Sequence, residues 1–428
     1  MPSYSIPLSG LDANSQALQI ISNNLANINT VGYKSATANF ADLFYSRIGT
    51  SGSGDPMQQG TGTEIGSVST NFAEEGAVNN DGVSSHVLIQ GDGFFVLQQN
   101  GGQIYTRAGD FSPNSNGILV SPDGSQVLGY PAVNGAVNTN AAPGALMLGP
   151  GRTISPNATS NLSLTMNLDS SAASGGTYST PITVYDSLGA SHTLTATFTK
   201  SATANQWTYS ISIPQSDLTP PSGGSTAASN VLASGTINFN SSGSVTTASP
   251  VTLAMSAGGG GQAAATLADG ASNLSVKWNL TDSSGNSLVT QTSETSGVSA
   301  NTQDGYAGGT LQGFNIQSDG TIIGTFSNNQ TGVIGQLALA SFSNDQGLAH
   351  VGNNEYSATP DSGLANVGIP GSGGRGTIQD DATEGSNVDI AGQFALLIQA
   401  QRGYEANAKA VTTVDQMTQD AFNMKAGL

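Results

Sequence analysis

Any chemistry in this chain has to come from a short inventory of residues. Three histidines, His86, His192 and His350, stand far apart, and none has a second metal-type ligand at i+2 to i+4 on a helix. Local spacing therefore assigns them to strands and turns, not to a metal centre. There is no cysteine, which removes thiolate nucleophiles, disulfides and zinc–thiolate sites. No G-x-S-x-G elbow and no G-K-[ST] phosphate loop occurs. Gly371, Gly373 and Gly376 do spell G-x-G-x-x-G, but no strand precedes them and no helix follows at once, so a flexible linker is expected. The Asp-Gly pairs at Asp92, Asp123, Asp304 and Asp319 lack the oxygen-ligand spacing of a calcium loop and read as turns. Asn157, Asn161, Asn273 and Asn279 open N-x-[ST] triplets, as an Asn/Ser/Thr-rich chain does by chance. No catalytic residue, metal or cofactor is expected.

Composition excludes further classes. Charged residues are 9% of the 428, against roughly 25% in an average soluble domain, and the net charge is −18. Ten scattered Lys and Arg cannot neutralise a run of phosphates, so neither nucleic acid nor an anionic membrane surface is an expected partner. No stretch approaches ~20 apolar residues, so no membrane insertion is expected. The opening MPSYSIPLSGLDANSQ has no basic n-region and no continuous apolar run, so a cleaved secretory signal is not expected. Absence of cysteine suits a protein that works outside the cell.

The elements are ordered as helix, many strands, helix. Leu8, Leu11, Ser15, Leu18, Ile21, Leu25 and Ile28 recur every three or four residues, as do Ile390, Phe394, Leu397, Gln401, Tyr404, Ala408 and Val411, with Val414, Met417 and Phe422 beyond. Ser386-Asn-Val-Asp389 reads as a capping box opening the second helix. The stretch from there to Met424 is about 39 residues, a rod of roughly 58 Å. In SNNLANINTVGYK, residues 22–34, Gly32 is the expected left-handed cap of the first helix, and Tyr33 and Lys34 begin a connector. Between the helices, VLIQGDGFFVLQ, QIYTRAGDF and DGTIIGTFSNNQTGVIGQLALASF carry strand and tight-turn signals. TPITVYDSLGASHTLTATF, WTYSISI and LSVKWNL alternate cleanly, as half-buried antiparallel strands do. Residues 46–63, 215–230 and 256–264 read as mobile.

Short helices are marginal alone, so the two ends are expected to pair as a coiled coil with two antiparallel β domains nested between them. The expected fold is thus α+β, mainly β. Residues 1–32 and 384–428 form the helical domain, 33–71 and 371–383 extended connectors, 72–151 and 301–370 a middle β domain, and 152–300 an outer one. Asparagines at seam positions are expected to set register. Leu396, Ile398, Val414 and Met417 lie off the main seam, which points to further packing between copies.

These residues carry a resemblance. SGLDANSQALQIISNNLANINTVGYKS and EGSNVDIAGQFALLIQAQRGYEANAKAVTTVDQMTQDAF resemble the two ends of bacterial flagellar axial proteins, the rod, hook and hook-associated subunits. GDGFFVLQQNGGQIYTRAGDF and ITVYDSLGASHTLTATFTK, with the extra β domain, are similar to the hook branch of that family; residues 200–270 resemble nothing in it. The resemblance implies a homopolymer, a curved tube serving as a universal joint between rod and filament, built under a scaffolding cap and measured by a ruler protein. Distal rod subunits, hook–filament junction proteins and the flagellar type III export apparatus are the implied partners, with export needing no cleaved signal. The implied assembly residues are Leu8, Leu11, Leu18, Ile21, Leu25, Ile28, Phe394, Leu397, Ile398, Tyr404, Val411 and Val414. Two other readings stay open: a different axial subunit, or a carbohydrate-binding adhesive protein. Exposed aromatics clustered on one face of the 152–300 domain would favour the adhesive reading, whereas Trp207 and Trp278 stand at inward strand positions and are expected in its core.

Overall fold

The computed structural model describes residues 4–50, 56–133, 135–149, 151–219, 230–255 and 266–426. Parts of the expected mobile segments, 51–55, 220–229 and 256–265, lie outside the described residues. The chain divides into two compact units, one of residues 1–152, 311–325 and 331–428, the other of 153–310 and 326–330. The second unit therefore runs past residue 300, because Gly297–Gln303 hydrogen-bonds along Asn161–Asp169.

In the first unit, helix α1 spans Ser5–Ala26 and helix α2 spans Ile390–Ala426. Four strands follow α1: β1 (Ala36–Asp42), β2 (Tyr45–Thr50), β3 (Pro56–Gly60) and β4 (Thr63–Thr70). The expected extended connector is instead a long hairpin, with β1 antiparallel to β4 and β2 antiparallel to β3. Its Gly, Ser and Gln content had suggested flexibility, but backbone pairing across the two arms supplies the order that side chains do not. Thr63 N–H donates to Ser9 Oγ at 3.2 Å, pinning the hairpin to α1. The second connector is also paired: Thr377–Asp380 runs along Val87–Gln90, and Ala382–Glu384 along Val78–Asn80. The Gly371–Gly376 stretch closes on itself through Gly371 N–H to Gly376 O, with the Arg375 guanidinium donating to Ile369 O and Asn366 O. It is an ordered turn, not a loose linker.

The remainder of this unit is a sheet built on Phe94–Gln99, which pairs with Gly102–Thr106 on one side and Gln126–Val133 on the other. Phe94, Val96, Tyr105, Leu128, Tyr130 and Tyr356 form its core. Phe72 closes that core edge-on to Phe94 and Tyr356, each at 5.4 Å.

The second unit packs two sheets face to face. One is the antiparallel meander Thr177–Tyr185, Ser191–Lys200, Gln206–Ser212 and Val231–Asn238. The other is mixed rather than antiparallel throughout, because its nine-residue strand Asn161–Asp169 is shared by two short parallel strands, Ser275–Asn279 and Val289–Thr292. Alternation sends Leu162, Leu164, Leu194, Phe198, Trp207 and Trp278 into one core. Trp207 and Trp278 are 1% and 0% exposed, so the aromatic face that an adhesive module needs is spent inside.

The helix ends differ from expectation. Asp389, not Ser386, caps α2: its Oδ1 accepts from Ala391 N–H at 3.1 Å and its Oδ2 from Gly392 N–H at 3.0 Å. Ser386, four residues before the helix begins at Ile390, accepts from Val388 N–H at 3.4 Å and from no helical N–H among the described residues. Replacing Asp389 by Ala should cost the helix pair about 1 kcal/mol. Helical circular dichroism of the assembled protein should then melt at a lower temperature, with the β signal unchanged.

Candidate assembly surface

The antiparallel helix pair sets the geometry of the surface. Apolar periodicity points to the leucines as the seam, but the buried face of α1 is Gly10, Ala13, Ala17, Ile21 and Asn24. Two reciprocal contacts explain this. A Cβ on Gly10 would lie 2.8 Å from Asn407 Nδ2, and a Cβ on Gly403 would lie 2.6 Å from Asn14 Oδ1. Each asparagine bonds a carbonyl one turn back on its own helix, Asn14 to Gly10 O and Asn407 to Gly403 O. The helices thus meet glycine against asparagine, closer than leucines permit. Ala400 is buried on α2, and Leu397, Val411 and Val414 are half-buried and continue that row. Tyr4 Oη donates to Thr418 Oγ1 at 3.1 Å at the far end.

The expected seam residues therefore separate. Ile21 is buried, while Leu11, Leu18 and Leu25 are half-covered. Leu8, Phe394, Ile398 and Tyr404 are 57%, 47%, 50% and 38% exposed, off the pairing face. Leu396, Met417 and Phe422 extend the exposed set. The hairpin adds Phe40, Phe44, Tyr45, Ile48 and Met57, with Phe44 93% exposed. Between α1, β1 and α2 lies an apolar recess of about 180 Å³, lined by Ala17, Ile20, Ile21, Phe40 and Leu396.

The turn after α1 also departs from the sequence reading. The helix ends at Ala26 with Asn27 as its cap, so Ile28 lies in the turn and Gly32 is not a helix cap. Gly32 has φ +66° because its backbone passes against Arg107 and Ala108, where any Cβ would fall 2.6 Å from Ala108 N. Tyr33 folds back, its hydroxyl donating to Asn24 Oδ1 at 3.1 Å. Asn24 holds the start of β1, accepting from Ala36 N–H and donating to Ala36 O, and it reaches Gln393 of α2 at 3.2 Å.

Beneath this turn lies a buried ionic cluster that local spacing could not suggest. Lys34 Nζ is 2.7 Å from Glu384 Oε1, and Arg107 Nε is 3.3 Å from Glu384 Oε2. Glu384 also accepts from Gly76 N–H, and its carbonyl from Gly32 N–H. Lys34 donates to Glu74 O, and Arg107 Nη1 to Gly91 O and Gly93 O. Burial pulls the Lys34 ammonium below the usual lysine range, the Glu384 carboxylate opposes this, and Arg107 adds to it. Asn387 completes the clamp, accepting from Ser35 N–H and donating to Asn71 O and Glu74 O. One acidic side chain therefore ties the chain leaving α1 and the sheet to the strand that leads into α2.

Comparison with known proteins decides the family. A "Flagella basal body rod protein" model matches residues 7–34, and a "Flagellar basal body rod FlgEFG protein C-terminal" model matches 379–424. A "Flagellar hook protein FlgE/F/G D1 domain" model matches 88–167, and a "Flagellar basal body protein FlaE D2 domain" model matches 152–306. The flagellar hook protein FlgE of Escherichia coli is 33% identical over 99% of this chain and 100% of its own. The chain belongs to the flagellar hook protein family. It is a structural subunit of the flagellar hook, at the basal body. The FlgE of Treponema pallidum is likewise 33% identical, over 98% of both chains. The solved Helicobacter pylori hook protein FlgE2 covers 72% of this chain and 99% of its own with a TM-score of 0.46 at 15% identity.

Two outcomes test this site. Glu384→Gln removes the carboxylate paired directly with buried Lys34 and Arg107, a loss of about 3–5 kcal/mol. Assembled hook subunits carrying it should dissociate at lower denaturant, and adding Lys34→Met should cost less than the two single effects summed. Glu355, 4% exposed and with Oε1 unpartnered, is pushed up to about 7 by burial and by the Asp123 charge beside it. Its raised value favours the folded state below about pH 4.5, and that contribution is lost as pH rises to about 7. Glu355→Gln should therefore flatten the fall in stability across that window, measured by thermal unfolding against pH.

Proposed function

We propose that the exposed apolar faces of α1 and α2, together with the β1–β4 hairpin, are the contacts by which copies of this subunit polymerise. One observation carries the reading: α2 has already spent one face on α1, yet Phe394, Ile398 and Tyr404 stay exposed on a helix of 37 residues. Apolar faces of that extent on a chain with so little charge favour association with further copies. The recess between α1, β1 and α2 suits a large apolar side chain from a neighbour. In this reading residues 1–32 and 384–428 form the inner-tube domain, and Leu8, Leu11, Leu18 and Leu25 belong to contacts between copies.

The chain acts as a structural part, not an enzyme, and bends as a universal joint between rod and filament. Weakly charged, Ser/Thr-rich outer surfaces suit sliding between neighbours better than fixed ion pairs would. Distal rod subunits, a scaffolding cap and junction proteins are its proposed partners. The flagellar type III apparatus is its proposed export route, without a cleaved signal.

Phe394→Asp combined with Ile398→Asp tests the assembly face. Subunits should stay folded by circular dichroism and remain monomeric in sedimentation at concentrations where the parent chain forms tubes. Tubes forming normally from the double variant would contradict the reading.

A further inference from the structure

His192 is not the isolated strand residue that its local spacing suggests. Strand alternation puts it on the inner face shared by Leu194, Ala196 and Phe198, where it is 6% exposed. Three carboxylates meet its ring. Nδ1 is 2.9 Å from Asp217 Oδ2, and Nε2 is 2.9 Å from Asp186 Oδ2 and 3.8 Å from Asp269 Oδ2. Each carboxylate has its other oxygen tethered elsewhere. Asp186 Oδ1 accepts from Leu188 N–H and Ala190 N–H, Asp269 Oδ1 from Ala271 N–H, and Asp217 Oδ1 from Ser216 Oγ. The second oxygens are thereby left aimed at the imidazole.

We propose that His192 Nε2, Asp186 and Asp269 bind a divalent transition metal of the zinc class, with Asp217 orienting the imidazole from behind. The donor set is one imidazole nitrogen and two carboxylate oxygens, which suits zinc better than magnesium or calcium. The three donor atoms lie within 4.8 Å of one another. Bonds of about 2.0–2.1 Å at a tetrahedral ion require donor separations of about 3.3 Å. The 2.9 and 3.8 Å separations from Nε2 bracket that value, so small rotations close the site. Asp217 supplies the carboxylate that fixes a metal-binding imidazole through its other nitrogen.

Charge argues the same way. Among the described residues, no Lys or Arg pairs with any of the three carboxylates, and a single imidazole faces all three. A protonated ring leaves the cluster at −2 (three carboxylates against one imidazolium). A dication held by the neutral ring leaves it at −1, with the Nε2 proton released to solvent. Asp269, its side chain 32% exposed, opens the fourth position to water. The site would clamp the Asp186 turn, the Asp217 segment and the Asp269 turn together within the second unit.

Titration of the full-length protein with Zn²⁺ at pH 7.5 against a chromophoric chelator tests this. Parallel titration with Co²⁺ is read by its d–d absorption. One tight equivalent per chain is expected, with the intense Co²⁺ band of a four-coordinate site. Asp269→Asn and His192→Gln should each weaken Zn²⁺ at least tenfold, and Asp217→Asn by about 10–100-fold. If His192→Gln does not fold, the partly exposed Asp269→Asn decides alone. Absence of a tight equivalent overturns the proposal and leaves His192 only a counter-ion to its carboxylates. An equivalent that persists unchanged in a folded Asp269→Asn variant overturns it equally.

Discussion

The buried carboxylate of Glu384 is the constraint on which the first unit depends. A chain with ten Lys and Arg in 428 residues directs two of them, Lys34 and Arg107, at one side chain. Desolvating three charges is expensive, and such clusters give more in specificity than in net stability. Specificity is what this position needs. Residues 34, 107 and 384 come from the turn after α1, from the sheet and from the strand leading into α2, so their charges meet only when all three segments are in place. The helices are then held at their base, while the rest of the unit is knit by hydrogen bonds and apolar packing.

The helix pair rests on a different economy. Gly10 and Gly403 let the helices approach, and Asn14 and Asn407 fill the space that each glycine leaves. Sliding the helices by one turn would take Asn407 off Gly10 and Asn14 off Gly403, so the register is set by shape. Because the seam uses small residues, larger apolar side chains are left outward. A tight internal seam and an exposed apolar face are two results of one choice of residues.

Much of the architecture was legible in the sequence. The 3.6-residue rhythm marked α1 and α2, period-two alternation marked the sandwich strands, and Trp207 and Trp278 at inward positions marked its core. Faces were legible less well. Hydrophobic periodicity selects the most apolar stripe, and in α2 that stripe is split: Leu397 and Val411 are half-buried along the pairing row, while Phe394 and Tyr404 lie off it. Glycine and asparagine carry no such signal, so the true seam was invisible to it. The β1–β4 hairpin was missed because its order comes from backbone pairing, which Gly, Ser and Gln neither announce nor forbid. Glu384 finds its partners hundreds of residues away, and His192 meets Asp217 and Asp269 from separate segments beside Asp186 across its own turn, beyond what helical ligand spacing could show. The terminal motifs did carry the family, and both the Asn24 contacts and the Asn387 clamp lie within the matched residues.

A hook subunit must hold its neighbours through many turns of the tube and still deform. In the proposed assembly, a base locked by Glu384 with apolar faces turned outward would separate those tasks: charge would fix the subunit, and apolar contact would join copies without demanding one geometry. Electron cryomicroscopy of assembled tubes at side-chain resolution tests this division most directly. Glu384 should sit between Lys34 and Arg107 of its own chain, with Phe394, Ile398 and Tyr404 covered by neighbouring copies. Lys34 paired to another copy, or those three side chains left facing solvent, would contradict it.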